Sequence, residues 1–181
     1  ANLKQSMILK LLDSHSVSSD CFSDASAQVH FAFDIDNAGY SRVIVFNLSI
    51  GPDRMGRAVQ RIIEVETYRL LSLLGLSTVK EYAARVAAIE GELNKLTGDL
   101  AREIKKPDGQ VQSLLSVLSS QAAYVEEIYS KTSYRLSATR AYRGILNGRL
   151  DRMQLTRLTG FQGVRGFLDR RMKPAMDSCD A

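Results

Sequence analysis

Two long segments of three- and four-residue apolar spacing, separated by one proline-containing break, constrain this fold more than any other feature of the chain. Val79, Tyr82, Val86, Ile89, Leu93, Leu96 and Leu100 make the first stripe. Leu114, Leu118, Ala122, Val125, Tyr129, Thr132, Leu136, Tyr142, Leu146, Leu150 and Met153 make the second. That spacing puts each set on one face of a helix, in the manner of a coiled-coil seam. About 27 helical residues at 1.5 Å each give a first rod of roughly 40 Å. The break, Lys105-Lys106-Pro107-Asp108-Gly109, is a short turn, so the spacing predicts an antiparallel helical hairpin with its turn near 105–109.

Upstream the periodicity changes. Residues 3–12 (LKQSMILKLL) predict a short amphipathic helix, and the polar stretch His15–Ser26 predicts a loop. Then Val29, Phe31, Phe33 and Ile35 alternate with His30, Ala32, Asp34 and Asp36, the period-2 pattern of a half-buried strand. Asp36-Asn37-Ala38-Gly39 is suited to a tight turn, and Arg42–Leu48 supplies a second strand. Two strands alone are marginal in water, so this hairpin must pack on helices, pair with strands upstream of the chain, or pair with another copy. Gly51-Pro52-Asp53 ends the hairpin, with Asp53 as the expected N-cap of a helix from Arg54 to about 74. Gly75 is the expected left-handed C-cap, Ser77 the cap of the next helix, and Phe161–Met176 a final basic helix with Phe167 and Leu168 inward. The fold class is therefore α+β and mainly helical. Its expected parts are an N-terminal α+β part at 1–76, a helical hairpin at 77–158 and a C-terminal helix at 159–181. The missing initiator Met and the ending at Asp177-Ser178-Cys179-Asp180-Ala181 suggest a piece of a longer protein.

Charge is unevenly placed. Residues 133–176 carry ten Lys/Arg against two acids, a local +8 in a chain of net +4. Arg149, Arg152, Arg157, Arg165, Arg170, Arg171 and Lys173 are the candidate basic surface, suited to anionic lipid or an acidic partner. No apolar run reaches the ~18–20 residues of a spanning helix, and Cys21 and Cys179 lack metal-type spacing.

Glu66 is the anomaly of the helix after the hairpin. It falls on a stripe of Met55, Val59, Ile62, Leu70 and Leu73, where an unpaired carboxylate costs several kcal/mol. It is thus a candidate buried ion pair or interaction site with Arg69, Arg135 or Arg140, the last two expected to reach it from the long helix. A catalytic role for Glu66 and neighbouring arginines is the enzymatic alternative. Glu64 lies about 200° away around the helix, so the two carboxylates do not share one ion. The pairs Tyr68-Arg69, Tyr134-Arg135 and Tyr142-Arg143 have the residue types of a nucleic-acid surface, a weaker reading because Tyr142 also sits in the seam. His30, Asp34 and Asp36 share a strand face, but alternate strand positions spread about 7 Å apart and make a poor metal site. P-loop, Rossmann, CxxC, HExxH and GxSxG patterns do not occur, and no cofactor is expected.

Several blocks carry a family resemblance. Gly39-Tyr40-Ser41-Arg42, then Gly56-Arg57, Val59-Gln60-Arg61 and Glu64 to Arg69 (EVETYR) come first. Ser133-Tyr134-Arg135 with Ala138 and Ala141-Tyr142 follow, then Phe167-Leu168-Asp169-Arg170-Arg171, Pro174-Ala175-Met176 and Cys179. In these the chain resembles the bacterial predicted membrane-anchored protein family, domain of unknown function 3422. The resemblance implies a soluble portion of a protein that begins upstream and continues to a hydrophobic anchor, on the cytoplasmic side of the bacterial inner membrane. It implies no activity and no catalytic residues. The expected role is a non-enzymatic module for self-association or a protein partner. A CorA-type magnesium-channel layout, which would make it the regulatory domain of a channel or transporter, is the alternative by fold analogy alone.

Overall fold

A computed structural model describes residues 5–22, 24–103 and 111–180. Helix α1 (Gln5–Leu12) is followed by strands β1 (Ser18–Phe22), β2 (Ala27–Ile35) and β3 (Ser41–Asn47). Helices α2 (Pro52–Leu71), α3 (Leu74–Glu103) and α4 (Val111–Met153) come next, then β4 (Leu155–Arg157) and α5 (Val164–Asp180). The fold is α+β and mainly helical, with one antiparallel sheet in the order β3-β2-β1-β4.

The expected hairpin is the β2–β3 half of this larger sheet. Its missing strands come from the chain itself: β1 lies inside the stretch read as a loop, and β4 follows the long helix directly. Both were hidden for a physical reason. In β1, Ser18, Ser19 and Asp20 are buried although polar. The Ser19 hydroxyl lies 2.7 Å from His30 Nδ1, and Asp20 Oδ2 accepts from the Val164 amide at 2.7 Å. Composition therefore points away from a strand that the tertiary structure satisfies. Asp20 also supplies the acceptor that the first turn of α5 needs.

The sheet is covered on both sides. Val29, Phe31 and Phe33 join Ile62 and Val65 of α2, Leu146, Leu150 and Met153 of α4, and Phe167, Leu168 and Met172 of α5 in the main core. On the other face Ala32 and Ile44 meet Ile8 and Leu12 of α1. Strict alternation fails at one place. Phe31 pairs with Val43 and Ile35 with Ser41, so residues 32–34 stand opposite Arg42 alone in a bulge. Phe33 sits there at φ 56° and stacks on Phe31 with ring centroids 4.7 Å apart. Past the bulge Ile35 is 56% exposed instead of facing the core. The turn itself forms as expected, with Gly39 at φ 86° and the Asp36 carboxylate accepting from the Ala38 and Tyr40 amides.

Helices α3 and α4 run antiparallel. Gly75 meets Thr139 at one level and Glu92 bonds Gln121 at 2.5 Å at another, so the paired positions run in opposite directions. The turn expected near 105–109 lies outside the described residues. Gly75 and Ser77 are not caps. Both lie inside α3, where Ser77 bonds the Leu74 carbonyl. A Cβ at Gly75 would overlap Thr139, so glycine is there to let the two helices touch. Gly51, not Asp53, occupies the N-cap of α2, with Pro52 and Asp53 in its first turn. The seam of α4 also differs from the expected stripe. Ile128, Thr132, Thr139, Leu146 and Met153 are buried, while Val125 and Tyr129 are 45% and 64% exposed. The final helix runs through Pro174 to Asp180, further than expected.

Candidate functional site

Helix α2 carries two apolar stripes, and only one faces the core. Ala58, Ile62, Val65 and Arg69 are buried. About 100° around the helix, at the angle set by one residue, Val59, Ile63 and Leu70 are 41%, 60% and 38% exposed. Glu66 belongs to this outer stripe. The pattern that made Glu66 look like a core residue is real, but it belongs to a groove.

That groove runs between α2 and the edge strand β3, with a cavity volume of about 490 Å³. Its strand wall is Ser41, Val43 and Val45, and its helix wall is Val59, Ile62, Ile63, Glu66, Thr67 and Leu70. Sheet order explains its position. β3 ends the sheet, no described strand pairs with its outer side, and the outer stripe of α2 borders the same margin of the sheet. An outer strand side presents backbone donors and acceptors, and natural sheets usually blunt it with charge or proline. From Val43 to Phe46, β3 has neither. The Ser41 hydroxyl oxygen is buried and has no hydrogen-bond partner among the described residues.

Glu66, in the helix wall of the groove, is paired with the buried Arg69. Arg69 Nε and Nη2 donate to Glu66 Oε2 and Oε1 at 2.7 and 2.6 Å, a fork-to-fork pair within one turn of helix. Arg69 is 7% exposed, and its guanidinium lies 5.5 Å from the centroid of the Phe33 ring. Arg69 therefore ties α2 to the bulge of β2 by cation–π contact, with its guanidinium held in place by Glu66. Neither Arg135 nor Arg140 reaches Glu66. Arg140 bonds Asp180 at 2.9 Å, and Arg135 is exposed with no partner among the described residues. The ion pair that does join α2 to α4 is Glu64–Arg149 at 3.1 Å. The reason is rotational: the core-facing stripe of α2 lies one residue away from the one the sequence suggests, so Glu64 is turned toward α4.

The basic segment is partly neutralised. Arg149 pairs with Glu64, Arg165 with Asp151 and Arg171 with Asp34. Arg152 and Lys173 are exposed without a described carboxylate partner. Arg157 and Arg170 donate through Nε to the Phe161 and Gly166 carbonyls and flank an open depression with Gln162 and Gly163.

The other constellations do not assemble. His30 is 1% exposed, Asp34 is held by Ser14 and Arg171, and Asp36 by its turn and Arg42. Among the described residues no three His, Cys, Asp or Glu side chains converge as a metal site. Arg69 is buried, so the three Tyr-Arg pairs do not make one accessible surface. His30 lies between the Phe46 and Phe161 rings, and burial holds its pKa below the ordinary value. Its Nε2 has no hydrogen-bond partner among the described residues. No described helix is long and apolar enough to cross a membrane.

The chain belongs to the family described as protein of unknown function (DUF3422), whose model matches residues 2–181. No curated protein and no solved structure matches it.

Proposed function

With membership of that family as the premise, we propose that the chain is a non-enzymatic interaction module and that the β3–α2 groove is its working surface. The observation that supports this is the meeting of an unblunted strand edge with an exposed apolar helix stripe. An extended segment seated there would meet both needs at once. Its backbone would pair with β3 and its alternate side chains would cover Val59, Ile63 and Leu70, the strand-addition mode of recognition. An acyl chain or small apolar molecule would cover the side chains but leave the backbone groups of β3 unpaired. The groove's one charged wall residue, Glu66, is already neutralised by Arg69, which suits an apolar occupant better than catalysis.

The wider setting proposed is the cytoplasmic face of the bacterial inner membrane, held by an anchor in another part of the protein. Arg152, Arg157, Arg170 and Lys173, which form no ion pair with a described carboxylate, would then face anionic lipid or an acidic partner. Strand addition is tested by hydrogen exchange during titration with a synthetic peptide of the sequence Ser41–Asn47. The expected result is added protection in β3 and α2, and equal exchange with and without peptide would refute it.

A further inference from the structure

Resting on that reading, we infer that the occupant of the groove is β3 of a second copy of the chain, paired antiparallel about a two-fold axis near Ile44. The groove asks for a short extended segment of alternating apolar residues without internal charge. β3 is such a segment: Val43 and Val45 face the groove, and its one charged residue, Arg42, is tied to Asp36 at 3.0 Å near the turn. Strand and groove are thus each other's complement on one chain, which is what a closed isologous contact requires.

The geometry of such a pairing is specific. A two-fold axis normal to the sheet keeps its faces, so both copies of α2 lie on the same side of one continuous eight-stranded sheet. The two helices then run antiparallel over the central strand pair. Val59 of one copy approaches Leu70 of the other, and Ile63 lies near the axis. Neighbouring strands lie about 4.8 Å apart, so two helices each set about half a strand spacing inside its own β3 stand about 10 Å apart, a normal distance between packed helices. Glu66 enters this contact already paired with Arg69, so no unpaired carboxylate is buried. The opposite sheet face is unaffected, because Ile44 there packs against the α1 cluster.

Size sets the strength. The nine groove residues with Arg42, Ile44 and Phe46 are roughly half the ~20–30 residues per side of a standard interface, so the association is weak and reversible.

Sedimentation velocity on the 181-residue chain, from about 5 to about 500 µM, tests this directly. The expected result is a concentration-dependent shift from 20.1 kDa toward twice that mass. Ile63→Glu and Val45→Lys should each reduce dimerisation at least tenfold, whereas Leu115→Glu on the distant α4 should leave it unchanged. Ile63 is 60% exposed, so Ile63→Glu is not expected to unfold the chain, and its circular dichroism melt confirms that. A chain that stays monomeric throughout, or a dimer indifferent to both groove variants, overturns the inference. The Ser41–Asn47 peptide separates the two readings. A monomeric chain that still binds it keeps the groove as a strand acceptor and loses only the second copy. A chain that neither dimerises nor binds it loses both.

Discussion

Replacing Glu66 by Ala removes the one carboxylate that meets the guanidinium of Arg69, and the size of the loss follows from the geometry. Arg69 is 7% exposed, makes two hydrogen bonds to Glu66 and lies against the Phe33 ring. Breaking a fully buried pair from one side costs about 3–5 kcal/mol, chiefly because a charge is left behind. Here the Glu66 side chain is 14% exposed and lines an open groove, so water takes over part of the carboxylate's role. A loss of about 2–3 kcal/mol is therefore expected for Glu66→Ala. For a chain of this size that lowers the melting temperature by about 4–12 °C. Urea denaturation followed by circular dichroism measures it. The double variant Glu66→Ala/Arg69→Met removes both charges and should cost less than the sum of the two single changes by at least about 1 kcal/mol. Arg135→Ala and Arg140→Ala should stay within about 0.5 kcal/mol, as surface changes do. Additive single changes, or a Glu66→Ala loss no larger than that of Arg135→Ala, would refute this role of the Glu66–Arg69 pair.

Three further outcomes are expected. Gly75→Ala should destabilise by about 1–3 kcal/mol through overpacking against Thr139, despite alanine's better helix propensity. Thr139→Ala in the same chain should restore most of the loss, and thermal melts of the single and double variants check both. His30, with its pKa held below 6.5 by burial, takes up its proton in the unfolded chain first. Its neutral form thus supports the fold fully above pH 6.5, and stability falls as pH drops through that value toward the lower folded pKa. Asp20, raised by burial, works in the opposite sense at lower pH. Denaturation midpoints at several pH values should therefore show the loss below pH 6.5 in the wild type and a flatter profile in His30→Leu. Finally, flotation with anionic vesicles should capture the chain, weaken with salt, and fall when Arg152, Arg157, Arg170 and Lys173 are replaced by Ser, at about 1 kcal/mol per residue. Salt-independent failure to float would remove the lipid contact.

How far the fold can be read from the sequence depends on where each signal lives. The seam residues near the base of α4, the strand from Val29 to Phe31, and the Asp36–Gly39 turn are local patterns, and each forms where its residues predict, although His30 and Ala32 are buried too because α1 covers the face expected to be open. β1 is not legible because its buried polar residues Ser19 and Asp20 are satisfied by residues as distant as His30 and Val164. β4 is three residues long and follows α4 after a single residue, Gln154, too short to show a period. Both gaps affect the candidate site. Without β1 and β4 the sheet order stays open, and the sequence gives no sign that β3 is an edge. Glu66 was noticeable for a sound reason, since it does lie on an apolar stripe. What periodicity alone leaves open is which of two stripes, one residue apart, turns toward the core. Ala58, Val65 and Arg69 decide that through α4, α5 and Phe33, all distant in sequence.

Hydrogen exchange on β3 at low and high protein concentration reports directly on pairing between two copies. In the monomer the outward amides between Ser41 and Asn47 face solvent, whereas those bonded to β2 are protected. The outward set alone should gain protection as concentration rises, together with the segment of α2 from Val59 to Leu70. Equal exchange at both concentrations, or protection confined to α3 and α4, would contradict it.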